Sequence, residues 1–92
     1  METSSAIISV VGTDKVGIIS KISSFLSERD VNIVDISQTI LDGNFVMMMM
    51  VDTTKHSKNL DALKTELKQL GESINVSIDI MHEKVFNAMH RI

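Results

Sequence analysis

Val10-Val11-Gly12-Thr13-Asp14-Lys15-Val16-Gly17-Ile18 is the stretch from which the rest of the chain can be placed. An apolar run ends at Gly12, three polar residues follow, and apolar residues resume at Val16 with helical spacing. This is a strand feeding a helix through a short loop, with a glycine at the helix start. The first turn of a helix holds backbone N–H groups without intrahelical partners, and its dipole favours negative charge. Gly17 leaves room for an anion to approach that backbone. The same residue also suits plain close packing at a helix start, and Asp14 suits an N-cap.

Upstream, Ala6 to Val11 is mostly apolar and rich in β-branched residues, which predicts a first strand. Downstream, Val16 to Arg29 reads as an amphipathic helix, with Ile18, Ile22, Phe25 and Leu26 on one side and Ser20, Lys21, Ser24 and Glu28 on the other. Asp30 closes it. Val31 to Leu41 predicts a long second strand, Asp42-Gly43-Asn44 a hairpin turn, and Phe45 to Asp52 an antiparallel third strand. His56-Ser57 opens a second helix with Ser57 as N-cap; Leu60, Leu63, Leu67 and Leu70 form its buried stripe, and Gly71 is its stop. Ile74, Val76, Ile78 and Ile80 alternate with polar residues as a fourth strand, and His82 to Ile92 ends the chain as a short helix with Val85, Phe86, Met89 and Ile92 on its apolar side. The order βαββαβ plus a tail is that of a ferredoxin-like α+β sandwich: a four-stranded antiparallel sheet, two helices on one face, and a short C-terminal helix. One domain over residues 1–92 is expected, with its core at about 5–81 and a helical tail at 82–92.

The third strand is apolar on both sides. Phe45, Met47, Met49 and Val51 point one way; Val46, Met48 and Met50 point the other. One set belongs under the helices. The other would face water in a monomer, forfeiting about 1.5–3 kcal/mol for each large apolar side chain left unburied. A homodimer, or a C-terminal segment folded across the sheet, is therefore expected.

Composition narrows the function. The chain lacks cysteine, which removes disulfides, Fe–S clusters and thiol catalysis. Its net charge of −3, with neither Trp nor Tyr and only three Phe, argues against nucleic acid as a direct partner. Met-Glu-Thr-Ser-Ser has no basic region leading into an apolar stretch, so no signal peptide is expected, and no apolar run reaches the roughly 20 residues of a membrane helix. A cytoplasmic module without cofactor or metal follows as the expectation. His82 and His90 sit about 12 Å apart on one helix, too far to share an ion. The arginines, Arg29 and Arg91, lie outside the first loop, where an acylphosphatase holds its phosphate-binding arginine. No Ser–His–Asp or paired-carboxylate arrangement stands out, so no catalytic residue is assigned.

The stretch Val11-Gly-Thr-Asp-Lys-Val-Gly-Ile-Ile19, the segment Asp30-Val-Asn-Ile-Val-Asp-Ile-Ser-Gln38 and the strand ending Met-Met-Val-Asp52 together resemble an ACT domain. The chain is most similar to stand-alone single-ACT bacterial proteins, related to the ACT pairs of glycine-cleavage repressors. That resemblance implies a non-catalytic regulatory sensor that binds an amino acid at a homodimer interface. It implies a ligand held between the first loop, Thr13, Asp14, Lys15, Val16, Gly17 and Ile18, and the start of the second strand of a neighbour, Asn32, Ile33, Val34 and Asp35. Val16 stands where many ligand-binding members carry proline. Backbone N–H groups near Gly17 suit a carboxylate, Asp14 or Asp35 can accept an ammonium, and Asn32 both donates and accepts. The alternative expectation is a ligand-free dimerisation or adaptor module, whose Met-rich strand and tail recruit another protein.

Overall fold

The computed structural model describes residues 5–13, 17–55 and 60–89. Its elements run β1 (Ser5–Gly12), α1 (Ile18–Glu28), β2 (Asn32–Leu41), β3 (Asn44–Asp52), α2 (Leu60–Ser73), β4 (Ser77–His82) and α3 (Glu83–Met89). The strands form one sheet in the order β2-β3-β1-β4, every neighbour antiparallel. This is the expected βαββαβ sandwich, with β1 and β3 central.

The register settles which side of β3 is the core. Ala6, Ile8 and Val10 of β1 lie opposite Val51, Met49 and Met47, and all six are fully buried. Ile18, Ile22 and Leu26 of α1 and Leu63 and Leu67 of α2 join them in a single cluster, so both helices cover that face. Ile7, Ser9 and Val11 pair with Met50, Met48 and Val46 on the other face. There α3 lies against β1 and β4, so the C-terminal segment takes one flank of the face the helices leave open.

Helix ends explain where the elements stop. After α1, the Asp30 N–H bonds the Ser27 carbonyl and the Val31 N–H bonds the Leu26 carbonyl, with Asp30 at φ 59°. This is a Schellman closure, and the buried pair Leu26 and Val31 supplies its apolar contact. Arg29 fastens the same end to α2: its Nη2 is 3.1 Å from Glu66 Oε2, and its guanidinium lies over the Phe25 ring.

The second helix corrects two expectations. It runs through Gly71 to Ser73, and Asn75 at φ 61° fills the left-handed position instead. The Val76 N–H closes the motif on the Gly71 carbonyl at 2.9 Å. Ile74 and Val76 are therefore consumed by the cap, and the fourth strand starts at Ser77 rather than Ile74. Gly71 serves close packing: a Cβ there would stand 2.7 Å from the Val76 carbonyl oxygen. The expected Ser57 cap and the His56 helix start lie outside the described residues, as do His90 and Ile92. In α3, Phe86 is half-buried while Val85 is exposed, so the predicted apolar side is only partly covered.

Candidate functional site

Gly12 ends β1 opposite Phe45, the first apolar residue of β3, at the end of the sheet where the β2–β3 hairpin turns. Thr13 continues from it, exposed. Asp14, Lys15 and Val16 lie outside the described residues. Gly17 occupies the N-cap position of α1 at φ 76°, a left-handed conformation that lets the chain turn sharply into the helix. Among the described residues nothing stands within 4 Å of where its Cβ would be, so the glycine answers to backbone conformation rather than to close packing against them. Among the described residues no side chain caps this helix, which is described from Ile18; its expected start at Val16 lies outside the described residues. Ile18 points into the core at 3% exposure, so only its backbone is available to a ligand.

Asn32 to Asp35 lies at the far end of the sheet. Asn32 pairs with Asp52, which pairs with Ser5, seven register positions from the Gly12–Phe45 pair. At about 3.3 Å per residue, Gly12 stands about 23 Å along the strands from Asn32 and about 17 Å from Asp35, which lies beside Met50 opposite Ile7. A β-bulge between Ile33 and Asp35 inserts Val34 as an extra residue. It keeps Ile33 on the core side while placing Asp35 beside Met50 on the open face, where the Asp35 carboxylate accepts the Ile36 N–H at 2.9 Å.

Asn32 and Ile33 also line a cleft of about 680 Å³ between the C-terminal half of α1 and the ends of β2 and β3. Its polar wall is Ser23, Ser27, Asp30, Asp52, Thr54 and Lys55. No role for Ser23 or Ser27 follows from the sequence alone; their i, i+4 spacing, which places them on one side of α1, is the signal the sequence offers. Asp52 is held below the usual carboxylate range by the Thr54 hydroxyl and then the Thr54 N–H, with Lys55 adding to the same direction against a desolvation that opposes it. A depressed folded-state pKa stabilises the turn above the ordinary carboxylate pKa, and this contribution is lost as pH falls through the folded value. Thr54→Val is expected to raise the Asp52 pKa toward 3.8, which a carboxyl-carbon NMR titration measures.

Among the described residues, no group of three or more His, Asp or Glu side chains could hold a metal ion. His82 is used structurally, its Nδ1 accepting the Lys84 N–H at 3.1 Å at the start of α3. No described helix is long and apolar enough to cross a membrane.

Comparison with known proteins agrees with the fold. The ACT domain family model matches residues 4–81. A UPF0237 protein of Listeria innocua is 49% identical over 87 residues, covering 95% of this chain and 98% of that protein. An ACT domain protein from Streptococcus pneumoniae superposes with a TM-score of 0.83 at 39% identity, over 97% of this chain and 100% of the other. A structure described as a glycine cleavage system transcriptional repressor shares the fold at a TM-score of 0.74 and 22% identity, over 89% of this chain and 47% of its own. With the sheet order, the left-handed glycine at the α1 start and these matches together, the chain belongs to the ACT domain family and to its UPF0237 group.

Proposed function

We propose that this chain is a non-catalytic regulatory module of the cytoplasm that binds a small amino-acid-like ligand between two copies of itself. The carrying observation is the separation of the two half-sites. Gly12, which leads into the first loop, and Asn32–Asp35 lie toward opposite ends of the sheet within one chain, and β2 is an edge strand. Antiparallel pairing of β2 with β2 of a second copy brings the start of one strand to the hairpin end of the other. The edge supports such pairing: it lacks Pro and Lys, and Ile36 and Ile40, on the helix side, are 38% and 60% exposed because α1 does not reach over them. In the resulting pocket the first turn of α1 receives the ligand carboxylate beside Gly17. Asp35 of the second copy takes the ammonium, and its Asn32 amide completes the polar contacts. Binding favours whichever dimer geometry closes the pocket, which is how occupancy becomes a signal.

Isothermal titration with the common amino acids tests this reading. Heat from at least one of them is expected, with binding at least about tenfold weaker in Gly17→Val, whose side chain meets no core atom but opposes the positive φ and crowds the ligand position. Ile36→Lys is expected to give a monomer by sedimentation that no longer binds. A dimeric protein that gives no heat with any amino acid would sink the ligand reading.

A further inference from the structure

The open face of the sheet has a different composition from the β2 edge, and apart from Asp35 its residues take no part in the ligand pocket. Its centre is apolar: Ile7 and Val11 on β1 and Met48 and Met50 on β3, bounded on one side by Met81 and Phe86. Val11 is 43% and Met48 37% exposed, although both belong to the two central strands. Two clefts open on either side of Met48. One of about 270 Å³ runs under α3 past Met81 and Phe86 to Asp79. The other, about 140 Å³, runs toward β2 past Ile7 and Met50 to Asp35. Each apolar cleft thus ends at a carboxylate, and none of the four strands contains a lysine or arginine.

We propose that this face is a docking groove for a basic amphipathic helix of another protein. Asp35 on β2 and Asp79 on β4 stand three strand steps apart, about 14 Å across the sheet. A helix is about 10–12 Å wide with its side chains, so one can lie over Met48 with its apolar stripe down and lysine or arginine reaching each rim. Methionine suits such a floor, because its unbranched, polarizable side chain repacks around different apolar knobs. A second copy of this chain suits it poorly. A two-fold interface sets the same patch against itself, and both rims are acidic. Among the described residues the cations near the groove are Lys84 on α3, next to Glu83, and Lys64, whose Nζ is 3.9 Å from Asp79 Oδ1 with both side chains largely exposed. Such an exposed pair is readily displaced by an incoming cation. The groove shares Asp35 with the ligand site at the β2 edge but is otherwise built from different residues, so Met48 and Asp79 report on the groove alone.

The probe is a labelled 18-residue amphipathic helix of leucine and lysine, titrated against the full chain by fluorescence anisotropy and two-dimensional NMR; the same helix with glutamate for lysine is the control. The lysine helix is expected to bind and to shift the amides of Ile7, Met48 and Met81, while the glutamate helix does not bind. Met48→Lys should weaken binding at least about tenfold by losing apolar contact and adding a like charge. Asp35→Asn with Asp79→Asn should weaken it roughly three- to tenfold without touching the core, and should flatten its salt dependence. Equal binding of both helices, shifts confined to α1, α2 or β2, or indifference to both variants would overturn the proposal. A fall in oligomer mass in Met48→Lys would also overturn it, since the occupant would then be a second copy.

Discussion

Met49→Lys is expected to unfold the chain, and Met48→Lys to leave it folded. The two residues are adjacent and chemically identical, so the difference lies entirely in the register of β3. Met49 is fully buried opposite Ile8 of β1, in one cluster with Ile22 of α1 and Leu67 of α2. No described acidic side chain lies in that cluster, so the new ammonium would be buried without a partner. Stranding a charge in this way costs several kcal/mol, which is comparable with the whole stability of a small domain at about 5–15 kcal/mol. Met48 pairs with Ser9 on the open face, and a lysine there can lay its stem along Ile7 and Met50 while its head stays in water. Its cost should stay below about 1 kcal/mol. Thermal melts followed by circular dichroism measure both. Equal melting temperatures for the two variants would mean that the β1–β3 register is wrong by one residue.

That register was only half legible in the sequence. Alternation along Phe45–Asp52 separates two apolar sets, but apolarity on both sides leaves open which set is inside. The polar Ser5 and Ser9 of β1 carry the missing information, because they must pair with the outward set once β1 and β3 are neighbours. The hairpin was plainer: Asp42 and Gly43 both take positive φ, 52° and 80°, as a two-residue turn requires. The candidate site divides in the same way. The motifs nominate its residues, and Gly17 does hold a left-handed start to α1. That its halves stand at opposite ends of one sheet is a consequence of strand order, which no local pattern encodes. The bulge at Val34 escaped for a similar reason, since one extra residue in an edge strand changes the facing of Asp35 without disturbing the apolar count.

Gly71→Ala is expected to destabilise the protein by about 1–3 kcal/mol, although the same change in an ordinary helix interior would stabilise it by about 1 kcal/mol through propensity. The reversal comes from what faces the added carbon. A Cβ at Gly71 stands 2.7 Å from the Val76 carbonyl oxygen and 3.2 Å from Ile78 Cγ1. The first of these is backbone, and it is not free to retreat: the Val76 N–H is bonded to the Gly71 carbonyl at 2.9 Å, so the contact and the cap join the same two residues. Relief requires either opening the Schellman closure or lifting α2 off β4, and the second option uncovers Ile78, which the core shares. A loss of this size lowers the melting temperature by on the order of 10 °C in a domain of this length. Asn75→Gly is the matched control, because Asn75 holds the left-handed position at φ 61° that glycine occupies without strain, and it should melt no lower than the parent. If Gly71 were instead the residue that ends the helix, the two results would exchange: Gly71→Ala would lose only its cap conformation, and Asn75→Gly would weaken a strand. Melting both variants beside the parent therefore separates a glycine kept for close approach from one kept for its φ.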